Sequence, residues 1–241
     1  MKKINIFGSY FLNSTKIRIF YNQIFDLSKE VSQNGLTYLD KYAITNLINE
    51  IIKIKRKKVD GIWVEAGTAL GGSALIIAAL KSPDQSLHLF DTFNLIPPPN
   101  FKDGIDVHMR YKEIIEGKAK GINQNQYYGY VDDLLSQVKC NFFKYKVDVT
   151  KVFFHKGLFK DTMHINEKIA FAHLDCDWYE SVAYCLHEII PNLQIGGVVI
   201  IDDYDHWSGC KLAVDEFINT YKDICNFKIK NKVRFEIERI K

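Results

Sequence analysis

Short apolar runs alternate with amphipathic stretches along this chain, and the alternation predicts strands separated by helices. "WVEAG" (63–67) is an apolar run ending in glycine, and "SALIIAAL" (73–80) behind it has helical character, so together they read as strand, glycine-rich turn and helix. "LHLFD" (87–91) is the next strand. From Asn94 to about Tyr130 the chain turns polar and carries Pro97, Pro98 and Pro99 in succession, the pattern of a long loop, and loops of that length usually serve function. "DVTKVFFHKG" (148–157), "IAFAHLD" (169–175) and "GVVIIDD" (197–203) supply three more strands. Val182, Leu186, Ile189 and Ile190 give one apolar face to the helix before Pro191, and Leu212, Val214, Phe217 and Ile218 do the same after the fifth strand. "FKIKNKVRFEIERI" alternates on both sides of Lys230, Asn231 and Lys232 and predicts an antiparallel hairpin.

The N-terminal residues have a helical stripe of their own: Ile17, Phe20, Tyr21, Ile24, Leu27 and Val31. It divides the chain into a helical extension, residues 1–36, and a sheet domain, residues 37–241. The stripe needs a surface to cover, either the site, as part of a lid, or a second subunit.

Strands alternating with helices imply a mostly parallel sheet covered on both faces, with ligands bound beyond the carboxyl ends of the strands. Those ends are acidic. They carry Glu65 and Gly67, then Asp91, Gly157, Asp175, and the adjacent pair Asp202 and Asp203. The glycines at 67, 71 and 72 do not form the dinucleotide pattern, and Glu65 stands where that pattern favours glycine, so a phosphate cradle is disfavoured. An acid there suits an amino group, and Asp91 suits ribose hydroxyls. A nucleoside carrying an amino acid, S-adenosylmethionine, has both. Asp175 lies one helical crossover before Asp202 and Asp203, and three hard oxygen ligands suit Mg2+, or Mn2+, better than zinc. Asp177 reads instead as the N-cap of the following helix. His155 and His173 lie within buried-looking strands and read as structural, whereas His206 follows the acidic pair and can face a substrate. The basic run Lys53–Lys58 reads as a solvated helix terminus favoured by its dipole.

Composition narrows the partners. With 32 basic against 29 acidic residues the net charge is only +3, which gives no electrostatic footprint for nucleic acid or an acidic membrane. The five cysteines, Cys140, Cys176, Cys185, Cys210 and Cys225, form no C-x-x-C pair and suit reduced thiols in a cytoplasmic protein. No apolar run reaches the roughly 20 residues of a membrane span, and the start of the chain lacks a signal-peptide pattern.

"VEAGTALGGSA", "FDTFNLIPPP", "FHKGLFKDTM" and "LDCDWYESV…PNLQIGGVVIIDDYDHWSGCKLAVDEF", in order over about residues 37–220, resemble the successive motifs of the macrocin O-methyltransferase family. The resemblance implies a Rossmann-like class I methyltransferase, with seven strands, mostly parallel, and the last antiparallel. It implies transfer of a methyl group from S-adenosylmethionine to a sugar hydroxyl in an antibiotic, a nucleotide sugar or a surface-polysaccharide precursor. By position it assigns the metal to Asp175, Asp202 and Asp203, and the cofactor to Glu65, Ala66, Gly67, Thr68, Ser73, Asp91, Gly157 and Phe159. Its departures are the turn itself, where antibiotic-sugar members carry a bulkier tryptophan-arginine pair, and the divergent 100–130 region. Asp175 is then expected as both ligand and base, with His206 the competing base, and a homodimer or higher homo-oligomer is expected. Two other readings are compatible with the residues: a Mg2+-dependent methyltransferase for catechol-like acceptors, and a cofactor-binding subunit without activity.

Overall fold

A computed structural model describes residues 14–222, 226–228 and 234–241, with side chains placed from Tyr21 to Lys222 and from Arg234 onward. Seven strands form one sheet: β1 (Ile62–Ala66), β2 (Leu87–Asp91), β3 (Val152–Lys156), β4 (Ile169–Leu174), β5 (Leu193–Ile201), β6 (Asn226–Lys228) and β7 (Phe235–Glu238). Their order is β3-β2-β1-β4-β5-β7-β6, with β1 to β5 parallel and β7 antiparallel to both β5 and β6. This is the Rossmann-like methyltransferase sheet that the strand pattern and the motifs imply. The turn at Lys230, Asn231 and Lys232, and Cys225, lie outside the described residues.

The helices are α1 (Ser14–Gln33), α2 (Lys41–Lys57), α3 (Gly72–Leu80), α4 (Ile105–Ile115), α5 (Leu134–Lys144), α6 (Phe159–Thr162), α7 (Tyr179–Ile189) and α8 (Ser208–Tyr221). The two faces of the sheet carry two cores. One joins Trp63, Leu89, Phe171, Val198 and Ile200 to α1, α2, α3 and α5, and the other joins Val64, Phe90, Ala172, Leu174, Val199 and Ile201 to α7 and α8. Val198 to Ile201 are at most 2% exposed, so β5 is covered on both faces. Each such side chain contributes about 1.5–3 kcal/mol relative to an exposed one, which is why this run contains no polar residue until the sheet edge.

Four expectations change. The 94–130 stretch is not all loop: α4 forms within it, burying Val107 and Ile114 while Ile105 and Met109 stay exposed, too weak an amphipathic signal to stand out among polar neighbours. The third strand is shorter than 148–157 and lies at the sheet edge. His155 is therefore only half-buried, with Nε2 3.1 Å from His88 Nδ1, rather than enclosed. The basic run closing α2 is not simply solvated, because Lys53 and Lys57 bind Glu238 and Lys55 Nζ donates to the Leu80 carbonyl at 2.5 Å. The apolar stripe of the extension is partly used within the chain. Ile24 and Val31 are buried and Leu27 packs on the first core, whereas the side chains of Ile17 and Phe20 lie outside the described residues.

Candidate active site

The carboxyl ends of β1 to β5 stay in register. Gly67 donates to the Phe90 carbonyl (2.9 Å), Asp175 to Ala66 (2.9 Å), Asp202 to Leu174 (2.9 Å) and Gly157 to Asp91 (3.0 Å). The chain order reverses direction between β1 and β4, which is where doubly wound sheets open a crevice. Gly67 makes the closest approach there. Its φ is +90°, and a Cβ on it would sit 1.8 Å from the Asp175 carbonyl oxygen, so no other residue fits this turn.

A cavity of about 250 Å³ opens at this point. Gly67, Asp91 and Phe159 line it, together with Asp175, Asp177 and the proline loop at Pro97 and Pro98. Asp91 is buried, and its carboxylate accepts from the Thr68 and Ala69 amides at 2.8 Å each and from Phe93 at 2.6 Å. It therefore fixes the glycine turn against β2. Burial raises its proton affinity, and the three amides oppose that. Thr68 and Ser73 are buried in the turn and the helix behind it, Ala66 is fully buried, and Gly157 ends β3 beside Asp91. Glu65 is 0% exposed: Oε1 lies 3.1 Å from His173 Nδ1, and Oε2 has no hydrogen-bond partner among the described residues. Burial works against a charged His173, but its bond to Glu65 and the charges of Glu65, Asp175 and Asp202 together outweigh this and raise its proton affinity.

Asp175, Asp202 and Asp203 converge at the next strand ends, each offering an oxygen within 4.8 Å of the others. Their electrostatics are unfavourable without a cation. Burial, then Asp203 and Asp202, push the Asp175 carboxyl well above the usual range, and burial, then Asp177 and Asp202, do the same to Asp203. Asp203 Oδ2 is buried and has no hydrogen-bond partner among the described residues. Asp202 differs, because the guanidinium of Arg234, just before β7, bonds it and also lies 3.6 Å from Asp40, the N-cap of α2. Hard oxygens, a shared focus and an unsatisfied buried oxygen fit a divalent cation of the Mg2+ type.

Asp177 does not cap α7. Its φ is +58° and its carboxylate accepts from Trp207 Nε1 at 2.8 Å, while Asp103 takes over the cap by accepting from the Tyr179 amide at 2.8 Å. Burial raises Asp177 to about 7, against the Trp207 bond. His206 is exposed, its ring edge-on to Trp207 at 4.8 Å.

The family model of macrocin-O-methyltransferases matches residues 15–228. The chain belongs to this family. A 4'-O-methyltransferase of Streptomyces olivaceus acting on 8-demethyl-8-(2,3-dimethoxy-alpha-L-rhamnosyl)-tetracenomycin C is 31% identical over 169 residues, which is 68% of this chain and 60% of that protein. Mycinamicin III 3''-O-methyltransferase of Micromonospora griseorubida is 30% identical over 195 residues, 78% of this chain and 70% of its own length. The chain thus spans well under the full length of these relatives. Among solved structures, the O-methyltransferase NovP superposes with a TM-score of 0.76 at 20% identity, covering 93% of this chain and 99% of that one, a likeness of fold.

The family motifs lead to the acid edge but not to everything around it. Asp177 read from the sequence as an N-cap, although its place as the second acid of a D-x-D at a strand end is a signal that could have marked it. Asp103 was not legible, because its role depends on the α4 segment folding back until Trp178 Nε1 reaches the Pro97 carbonyl (2.9 Å) and Gly104 meets Ser208 (3.2 Å). Arg234 alternates with Glu236 and Glu238 along the last strand, but only the strand order places it beside Asp202.

Proposed function

We propose that this protein transfers the methyl group of S-adenosylmethionine to a hydroxyl of a sugar or sugar-containing small molecule, using Mg2+ held by Asp175, Asp202 and Asp203. The observation that carries this reading is the buried, mutually repelling carboxylate cluster beside the cavity at the β1/β4 crevice. In this reading Glu65, Ala66, Gly67, Thr68 and Ser73 belong to the cofactor turn, Asp91 would meet the ribose, Gly157 stays bonded to the Asp91 carbonyl, and Phe159 lines the cavity beyond. The two relatives that act on rhamnosyl and 3'' positions support a sugar acceptor in a small natural product or precursor.

A sugar hydroxyl is a weak nucleophile at neutral pH, and a divalent cation, when bound, would lower its pKa and orient it. Asp175 is the proposed base for the hydroxyl proton as the methyl group moves from sulfur to oxygen, because it lines the cavity at the acid edge. His206 is the competing base, at the exposed side of the same edge. Trp178 and Trp207, edge-on at 5.5 Å, wall the acid edge from water. The helical extension, residues 1–36, is proposed to act as a lid or as a homodimer contact. Among the described residues no helix is long and apolar enough to cross a membrane, and the reading is of a cytoplasmic biosynthetic enzyme.

Product masses after incubation with S-adenosylmethionine, with and without chelator, across panels of sugars and catechols test the reading. A product heavier by one methylene on a sugar, lost in chelator and restored by Mg2+, is expected. Methylation of catechols alone, or of nothing, overturns it.

A further inference from the structure

The acceptor side of the site contains a cation that the metal chemistry does not use. Arg110, on α4, has its guanidinium 5.6 Å from the centre of the Tyr127 ring, and Tyr127 lies 4.4 Å from Tyr128, which lines the cavity. Tyr38, between α1 and α2, meets Tyr128 edge-on at 6.4 Å and is 50% exposed. The charges of Arg110, Asp177 and Asp175 all act on the Tyr38 phenol, and Tyr38 adjoins the cavity through Tyr128.

The carboxylates at this mouth are otherwise engaged: Asp202 by Arg234, Asp177 by Trp207, and Asp175 and Asp203 in the proposed metal site. The ion pair described for Arg110 is with Glu113 on its own helix, 3.1 Å away, and Glu113 is 57% exposed, a contact that water and salt weaken. A neutral sugar has no need of a guanidinium, whereas an anionic acceptor approaching an acid-rich edge is steered by a second cation beside the proposed metal. A planar guanidinium matches phosphate with two parallel hydrogen bonds, which lysine does not reproduce.

We propose that Arg110 and Tyr38 form an acceptor subsite for a phosphate group carried by the sugar, so that the preferred acceptor is a phosphosugar rather than a neutral glycoside. The inference rests on the sugar-methyltransferase reading. Arg110 takes the phosphate and Tyr38 adds its hydroxyl and exposed ring face, while the sugar reaches inward to the aspartates.

Two measurements separate the inference from the reading beneath it. In EDTA, with S-adenosylhomocysteine present, calorimetry with inorganic pyrophosphate and with uridine diphosphate should show binding to the wild type that Arg110→Met weakens at least tenfold and Arg110→Lys restores only in part. Unchanged S-adenosylhomocysteine affinity is the control for folding. In turnover with a nucleoside-diphosphate deoxysugar, a sugar 1-phosphate and a methyl glycoside, the kcat/KM ratio of phosphorylated to neutral acceptor should fall at least tenfold in Arg110→Met, mainly through KM. Equal use of the two phosphorylated acceptors points to phosphate alone, and preference for the nucleotide adds a role for its base against Tyr38. Pyrophosphate and uridine diphosphate binding that Arg110→Met leaves intact, or a neutral glycoside used as well as the phosphorylated ones, overturns the subsite while leaving the methyltransferase standing. Anion binding lost in Arg110→Met with no acceptor methylated overturns the methyltransferase and keeps the subsite.

Discussion

Glu238, on β7, and Asp203, just past the end of the neighbouring β5, are similarly buried, 6% and 8% exposed, yet their carboxyls are driven in opposite directions. Burial alone would raise Glu238, but Lys57 at 2.6 Å and Lys53 at 3.2 Å outweigh it and bring it to about 2. Asp203 has Asp177, Asp202 and Asp175 around it, and the guanidinium nearby is bonded to Asp202. Glu238 is thus an acid whose counter-charge comes from its own fold. Asp203 is one whose counter-charge must come from outside. Burial by itself does not mark a functional carboxylate. Burial without enough resident cations does.

The comparison breaks most visibly in turnover. Asp203→Asn keeps the side chain's size and removes one charge of the cluster, so methylation should fall by about 10²–10⁴-fold, the range over which general-base and metal-activation effects act. Asp175→Asn should be at least as damaging and should not recover in excess Mg2+, because it removes the proposed base as well. S-adenosylhomocysteine affinity, read by calorimetry, should change little in either. A large loss of cofactor affinity would place these acids in the cofactor site instead.

Metal and pH should act on stability next. Asp177, raised to about 7, and Asp175 and Asp203, both raised well above the usual carboxylate range, bind protons more tightly folded than unfolded. Their favourable contribution is therefore full below the unfolded carboxylate range near 4. It is lost as pH rises through about 7 and beyond. Melting curves of the metal-free protein should show this decline, and millimolar Mg2+ should raise the melting temperature by several degrees at pH 8 and little at pH 5. A Mg2+ effect independent of pH would mean that the ion binds elsewhere. Asp177→Asn should raise the metal-free melting temperature by about 1–3 °C at pH 8, because it removes a like charge while leaving an oxygen for Trp207.

How much of this was legible in the sequence depended on distance along the chain. The strands near 63, 87, 169 and 197 were plain, because each is an apolar run bounded by glycine or acid, and the acids at their ends followed from the rule for parallel sheets. Asp175, Asp202 and Asp203 could be grouped because one crossover separates two adjacent strands. α4 was not legible, since Phe101, Ile105 and Met109 are exposed and its buried side rests on Val107 and Ile114 alone. The ring stack at His88 and His155 likewise depended on β3 lying at the edge, which periodicity does not reveal. Asp177 was misread because a cap is the commonest use of Asp before a helix, and only its left-handed backbone and Trp207 show otherwise.

The smallest effect belongs to the paired acid and sharpens the contrast most cleanly. Glu238→Gln leaves a neutral amide of nearly the same shape between Lys53 and Lys57, whose side chains are 32% and 43% exposed. Water can solvate both ammonium groups once the charge is gone, so denaturant unfolding at pH 7 should show a loss of only about 0.5–1 kcal/mol, shrinking further in high salt. Because the folded carboxyl is held near 2, below its unfolded value, this contribution is present above the unfolded carboxylate range and fades as pH falls toward 2, opposite in sign to the acid edge. Methylation and Mg2+ binding should be unaffected, since Glu238 serves the packing of α2 on β7. A Glu238→Gln variant whose metal affinity changed as much as that of Asp203→Asn would show that the two carboxylates belong to one charge network, and that counter-charge from the fold does not separate them.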